Sequence, residues 1–503
     1  MLFPAVGPPG IIAGPLQEPL VTELLQVVVL ETRPGAARPL QAQPFDRPIR
    51  AAATIRVPEV VAAAIRGAVA ERQPQGIGFR AGRTCPPSCR NSLPRWLLLR
   101  RRCARTTSAP TEGNEALKIL DIRETAVPVR SSMRNAAFDF SEMTTSVVAV
   151  VTDRVVDGRP VVGYAFNGTG RYACGAAMRG RFIPRLLGEA PDSLLDAEGF
   201  IDPDRCLPVM NRREKPGGDA ERAWAIGTIE TALWDAAAKA RGEPLWSLLA
   251  RRYGPGSPGE RVPCYVGGGW YRPGQSVADL QDEMRRHRDS GYVQLKTKVG
   301  GLPIDEDRRR IEGVLAIVGE GSNLAVDANG AFDRERALAY AAMLAPYGLR
   351  WFEEPVHPLD LALYAEVCGT YAPPIGTGEN LYSLQDLTNM VRFGGLRPDR
   401  DVLQVDPPQA FGIATYVRIV AMAEAAGFSR AQIFPHGGNQ MSLAVVGGLG
   451  LGGCESYPGV FGAFAGYADD ARVEDGWLRL PSRPGIGFEG QSELYAVMKE
   501  LGA

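Results

Sequence analysis

Lysine and histidine are scarce in this chain of 503 residues: of 56 basic side chains only six are lysine, and there are three histidines. Arginine stays protonated at working pH and serves wherever a positive charge needs only water or an ion pair. Proton transfer needs an amine or imidazole that can be tuned. The positions of Lys118, Lys215, Lys239, Lys296, Lys298 and Lys499, and of His287, His357 and His436, are therefore informative. Net charge is lacking as well, at a formal −1, which excludes the basic footprint of a nucleic-acid binder. No apolar run reaches the roughly 18 residues of a membrane span. The most apolar early stretch, Ile11 to Leu30, is broken by Pro15, Glu18, Pro19 and Glu23, and no basic residue precedes Arg33, so no secretory leader is expected. The eight cysteines do not form a disulfide framework: Cys174, Cys206, Cys264, Cys368 and Cys454 are widely scattered, as suits a reducing cytoplasm. Cys85 and Cys89 form a close pair but lack the second half of a zinc site, and no histidine precedes His287.

What is present falls into blocks. Residues 1–116 hold 15 arginines, 8 acids and 15 of the 40 prolines, with no lysine, histidine or tyrosine. Their hydrophobic periodicity is weak apart from Val57 to Val69, which spaces as one helix, and the segment reads as a disordered extension. From Leu117 the texture changes. Leu117–Pro128, Thr145–Thr152 and Val162–Phe166 read as strands, and Ala220–Arg241 as a long helix with Gly242 past its end. Strands followed by helices in one block indicate an α+β domain. Beyond Pro263, eight short apolar runs each precede an amphipathic stretch: Tyr265–Gly268, Val293–Val299, Leu324–Asn329, Trp351–Pro355, Ile375–Asn380, Leu403–Pro407, Ile433–His436 and Cys454–Tyr457. That rhythm predicts a parallel (β/α) barrel. An open doubly wound sheet would carry a glycine-rich phosphate turn after its first strand. Gly448, Gly450 and Gly453 fit the spacing but not that context.

A barrel does its chemistry at the C-terminal ends of its strands. Those ends read Lys296 and Lys298, Asp327, Glu353, Glu379, Asp406, His436 and Glu455, with gaps from Lys298 of 29, 26, 26, 27, 30 and 19 residues. Each has a structural explanation when taken singly, but a series in register with the βα unit delivers one polar group per strand to a shared mouth. Asp327, Glu353 and Glu379 offer three hard oxygen ligands, which suits Mg²⁺. Lys296 and Lys298, at i and i+2, point the same way from one strand. Two ammoniums beside a divalent cation are expected to depress each other's pKa. Asp406, one strand before His436, can orient and charge its imidazole. Such a set can remove a proton α to a carboxylate and handle a second group on the far side.

The stretches QLKTKVGG, LAVDANG, WFEEP, GTGEN, LQVDP and IFPHGGNQMSLA resemble the mandelate racemase branch of the enolase superfamily. More narrowly, RNAAFDFSEMTTS, GYAFNGTGRY, EKPGGDAER, LGLGGCESYPG and PGIGFEG are similar to the D-tartrate dehydratase family, over about 118–503. The resemblance implies a (β/α)7β TIM-like barrel over 251–470 under an α+β capping domain, 117–250 completed by 471–503. It implies Mg²⁺ on Asp327, Glu353 and Glu379, Lys298 as the base with Lys296 assisting, and His436 paired with Asp406 as the acid that helps a β-hydroxyl leave. Glu455 would support the far side, and Arg134, Asn135, Asn167 and Lys215 would close over the substrate, Lys215 on its second carboxylate. The implied activity is dehydration of a hydroxy-diacid, D-tartrate to oxaloacetate, in a cytoplasmic homo-oligomer with a small-molecule substrate and neither nucleic-acid nor membrane partners. The alternatives are another acid-sugar dehydratase or racemase of the superfamily, or a catalytically silent barrel. Pro407 and Pro408 depart from the small or polar residues expected after Asp406 and would reshape the pocket floor.

Overall fold

A computed structural model describes residues 116–503 apart from Thr169, Ser257 and Pro258. The extension over 1–116, with its helix at Val57–Val69 and its Cys85–Cys89 pair, lies outside the described residues but for Ala116. No helix among the described residues is long and apolar enough to cross a membrane.

Three antiparallel strands open the described chain: β1 (Ile119–Pro128), β2 (Thr144–Val156) and β3 (Arg159–Phe166). The β2–β3 turn falls on Asp157 and Gly158, both at positive φ (50° and 73°), the Asp-Gly chemistry that suits a tight hairpin. The helix Ala220–Ala240 covers this sheet. It can do so closely because β3 carries Gly163, where a Cβ would lie 2.2 Å from the Ala232 carbonyl oxygen. The same helix seals the seam to the rest of the molecule. Asp235 accepts hydrogen bonds from Tyr164 N (2.8 Å) and Ile486 N (2.6 Å) and pairs with Lys239 (2.7 Å). Glu230 accepts from Ile413 N (2.8 Å) and Ala414 N (2.9 Å), so a side chain of one helix satisfies the free N–H groups opening another, Ile413–Ala425.

The remainder is a barrel of parallel strands with helices outside. β4 (Arg261–Gly268), β5 (Gln294–Lys298), β6 (Leu324–Asp327), β7 (Trp351–Glu353), β8 (Ile375–Thr377) and β9 (Val402–Leu403) pair in order. β10 (Cys454–Ser456) returns to pair with β4 and closes the circle. The seventh expected strand is reduced to a single bridge, Leu403 to Ile433. Of the segment 471–503, β11 (Val473–Glu474) and β12 (Trp477–Arg479) form a hairpin whose second strand pairs antiparallel with β4, whereas the helix Ser492–Gly502 packs on β1 and β2.

Period-two alternation stacks the barrel interior in layers. Tyr265, Ala325, Trp351, Val402 and Phe434 form one buried cluster, with Tyr265 and Phe434 5.2 and 5.5 Å from the Trp351 ring. Burying side chains of this size stabilises the fold by about 1.5–3 kcal/mol each. Two residues further along the same strands, Ala325 gives way to Asp327, Trp351 to Glu353 and Phe434 to His436. The polar layer therefore rests on an apolar floor.

Candidate active site

Strand register aligns the polar layer. Lys298 on β5 stands opposite Asp327 on β6, which stands opposite Glu353 on β7. Carboxylate oxygens of Asp327, Glu353 and Glu379 all lie within 4.8 Å of one another, and all three residues are buried. The loop after β6 helps to hold them: Asn329 donates from its backbone to Asp327 Oδ1 (2.8 Å) and from Nδ2 to Asp327 (3.2 Å) and Glu379 (3.3 Å). Trp351 Nε1 (2.8 Å) and Gln404 Nε2 (2.7 Å) both donate to Glu353 Oε2. These carboxylates are hard oxygen donors with no sulfur or imidazole among them, and the trio can hold a cation that prefers oxygen.

The two lysines are only 1% and 3% exposed. Lys296 Nζ lies 2.5 Å from Glu353, 2.7 Å from Glu455 and 3.3 Å from Asp327. Lys298 Nζ lies 2.5 Å from Asp327 and 4.5 Å from the centre of the Trp270 ring. Burial disfavours the charged form of Lys296, but the carboxylates of Glu353 and Glu455 outweigh it and hold the ammonium well above its usual range. This is opposite in direction to the depression expected from the sequence, because acids surround Lys296. Burial opposes ionisation of Asp327, yet Lys298 and Lys296 overcome it and hold that carboxyl below its ordinary value. Glu353 moves the other way, to about 8, through burial and the neighbouring Asp327.

Across the mouth, His436 Nδ1 lies 3.3 Å from Asp406 Oδ2, and its Nε2 lies 3.3 Å from Glu379 and 4.0 Å from Glu455. Burial works against the imidazolium, but Glu379, the Asp406 hydrogen bond and Glu455 raise its pKa to about 9. Ser442 Oγ donates to the His436 carbonyl (3.0 Å), fixing the backbone there. Glu455, on β10, touches both Lys296 and His436 and links the two sides.

Lys298, Asn329, Glu379 and His436 line one small cavity, about 20 Å³, together with Asn135, Phe138, Phe140, Gly170, Arg171, Trp270, Tyr457 and Phe461. Its roof is an apolar cluster where the loop after β1 meets the loops after β4 and β10; Phe140 sits 5.5 Å from Trp270 and 5.3 Å from Phe461.

The four capping residues singled out in the sequence are placed differently from one another. Asn135 lines the cavity, with its Oδ1 accepting from Ala137 N and Phe138 N. Arg134 is exposed and paired with Asp139 at 2.8 Å. Asn167 is buried and spends its amide on Thr145, Ser146 N (2.8 Å) and the Tyr172 carbonyl (3.0 Å). Lys215 is exposed on its loop and does not line the cavity. His287 and His357 also lie away from the cavity, the first beside Glu283 and the second accepting from Leu359 N. Pro407 and Pro408 form a short turn under the helix Ala220–Ala240, where a Cβ on Gly227 would lie 2.2 Å from the Pro408 oxygen, and are not among the residues lining the cavity. Eight of its lining residues were not selected from the sequence, among them Asn329, Trp270 and Arg171. Asn329 stands in the same D-A-N as Asp327, so its position one pleat beyond a ligand was a usable signal. Arg171 stands in the same GYAFNGTGRY as Asn167, whereas Trp270 has no such marker.

Comparison with known proteins follows the same outline. The profile of the enolase C-terminal domain-like family matches residues 279–494. The chain is 33% identical over 272 residues to 3,6-anhydro-alpha-L-galactonate cycloisomerase of Streptomyces coelicolor, covering 54% of this chain and 70% of that protein. It is 27% identical over 354 residues to L-talarate/galactarate dehydratase of Salmonella typhimurium, covering 69% of this chain and 81% of that one. A crystal structure of a racemase from Streptomyces coelicolor with bound magnesium superposes with a TM-score of 0.61 at 26% identity, covering 75% of this chain and 99% of that chain. By name the first two are a cycloisomerase and a dehydratase of acid sugars.

Proposed function

The chain belongs to the enolase superfamily, and from that premise we propose that it is a Mg²⁺-dependent dehydratase of a hydroxy-diacid, D-tartrate foremost, releasing oxaloacetate and water. The observation that carries the reading is one small cavity at which Lys298 and His436 meet Glu379, a member of a buried trio of carboxylates. Asp327, Glu353 and Glu379 would hold the Mg²⁺. When bound, the cation supplies positive charge that favours electron density gathering on the substrate's carboxylate oxygens.

The chain's own residues divide the proton transfers. Lys298 Nζ, as the free amine, takes the proton α to the carboxylate, and the Trp270 face beside it keeps water off that nitrogen. Lys296, held between Glu353 and Glu455, presents its N–H groups beside the substrate carboxylate. His436, whose Nδ1 is engaged by Asp406, gives its Nε2 proton to the β-hydroxyl as the C–O bond breaks, so that water leaves. Glu455 keeps Lys296 and His436 in mutual register. The enol that remains tautomerises to the 2-keto acid.

A second reading, action on a longer acid sugar, is supported by the names of the relatives, which include a cycloisomerase and a galactarate dehydratase. Incubation with Mg²⁺ and a panel of hydroxy-diacids and aldonates, scored for keto acid, tests both. Oxaloacetate from D-tartrate is the expected result. Keto acid from an aldonate or a longer diacid, with none from D-tartrate, would replace the first reading with the second. In the variant His436→Asn, exchange of the α-proton with deuterated water should persist while dehydration stops. Loss of exchange would instead make the histidine the base.

A further inference from the structure

Arg171 is the one guanidinium among the described residues that lines the cavity with Lys298, Glu379 and His436. It is carried by the loop after β3, in which Gly168 and Gly170 both adopt left-handed backbone (φ 82°). A Cβ on Gly168 would approach Gln409 Nε2 to 2.7 Å, so glycine is what lets this loop turn down onto the barrel. There Arg171 Nη2 donates to the Glu379 carbonyl (3.1 Å) and to Asn380 Oδ1 (2.5 Å), and Nη1 donates to the Gly170 carbonyl (2.7 Å). Its guanidinium stands 5.8 Å from the Trp224 ring and 5.4 Å from the Tyr382 ring.

All three hydrogen-bond acceptors are neutral. Among the described residues no carboxylate is within ion-pair distance of Arg171, and its buried Nε has no hydrogen-bond partner. A guanidinium stays charged at any working pH, so its desolvation is not relieved by losing a proton. Its planar fork, which an ammonium cannot offer, can take a carboxylate by exchanging the Asn380 Oδ1 acceptor for the ligand. The carboxylates of Glu379 and Glu354 favour its charge from beyond ion-pair distance, and neither is paired with it. Lys215, the cation expected for this task from the sequence, is exposed and away from the cavity.

We infer that Arg171 binds the second carboxylate of the substrate and thereby selects diacids over aldonates, an inference that rests on the dehydratase reading above. In this arrangement the first carboxylate faces Lys296 and the carboxylate trio, and the second lies toward the capping loop. Arg171 then sets which acids fit, while the proton transfers remain with Lys298 and His436.

The test measures, in Mg²⁺, calorimetric binding of D-tartrate and of a four-carbon aldonate that has a hydroxymethyl group in place of the second carboxylate. The wild-type protein should bind the diacid about 30-fold or more tightly than the aldonate, the range for a desolvated charge pair. Arg171→Gln should bring that ratio to near one, with aldonate affinity falling far less than diacid affinity. Arg171→Lys, which keeps the charge but loses the fork, should recover part of the ratio. If Arg171→Gln does not fold, the lysine variant decides: a ratio reduced about tenfold supports the inference, and an unchanged ratio overturns it. Equal weakening of both ligands would show a purely structural role through the Glu379 carbonyl and overturn it, as would a wild-type protein with no preference. A parallel assay for keto acid separates the two readings. Binding preference for diacids that depends on Arg171, without turnover of any acid, would sink the dehydratase assignment and leave Arg171 as a diacid-reading residue.

Discussion

Lys298 and Asp327 face each other directly across the β5–β6 ladder, with Nζ 2.5 Å from the carboxylate. The amine assigned to take the proton thus touches a side chain assigned to hold the cation. Lys298→Arg keeps the positive charge but cannot supply a neutral base. Both α-proton exchange and keto-acid formation should fall by about 10²–10⁴-fold, the usual contribution of general base catalysis. Deuterium incorporation followed by NMR reads this. Wild-type-like exchange in the variant would move the base elsewhere.

Metal removal should act through the same cluster. Chelation should abolish keto-acid production and added Mg²⁺ should restore it. Mg²⁺ at about 100 times its Kd should also stabilise the fold by about 2.7 kcal/mol, read as a rise in melting temperature. Asp327→Ala should erase that rise. A melting temperature that responds to Mg²⁺ equally in the variant would place the binding outside Asp327, Glu353 and Glu379.

Glu230 gives stability a pH dependence far from the reacting groups. Burial pushes its pKa up from 4.5 to about 8, against the hydrogen bonds from Ala414 N, Ile413 N and Trp234 that favour the anion. With the folded value above the unfolded one, its contribution is full below 4.5 and is lost as pH rises toward 8, because the unfolded chain ionises first. Glu230→Gln does not titrate. The stability advantage of wild type over this variant should therefore shrink by on the order of 2 kcal/mol between about pH 5 and pH 8. Urea denaturation at several pH values measures it; a constant difference would contradict it.

Gly227 marks where the helix Ala220–Ala240 meets the turn after Asp406. A Cβ there would lie 2.2 Å from the Pro408 oxygen and 2.6 Å from Gly412 N, both backbone atoms. Gly227→Ala should cost about 1–3 kcal/mol through overpacking. Because the displaced turn begins one residue after Asp406, dehydration should suffer more than α-proton exchange. Equal losses in both would mean that the strain does not reach His436.

The barrel was legible in the sequence because parallel strands write their chemistry at a fixed interval. Lys298, Asp327, Glu353, Glu379, Asp406 and His436 recur at nearly one βα unit, and the structure brings them to a single mouth. Contacts made by loops were not legible on that basis. Arg171 and Lys215 are both cations in glycine-containing turns, and no local pattern says that one tucks under the cap while the other stays in water. Rarity alone does not mark the site: Lys239 is as uncommon a residue as Lys298, yet it braces Asp235 and Glu489 at 2.7 Å each. The seventh strand shrank to one bridge because the chain turns at once into Gly437 and Gly438, both at positive φ. The hairpin Val473–Arg479 was missed because short edge strands with exposed residues carry little alternation.

The seam made by Glu230 and Gly227 bears on how the cap is held. Lifting the whole cap would strip the helix Ile413–Ala425 of the carboxylate that closes its first turn and would bare an ionisable group now sealed from water. The loop that carries Arg171 is fastened to the barrel as well, through the Glu379 carbonyl and Asn380. The cap is thus fastened to the barrel by groups that separation would leave buried in neither half and without their partners.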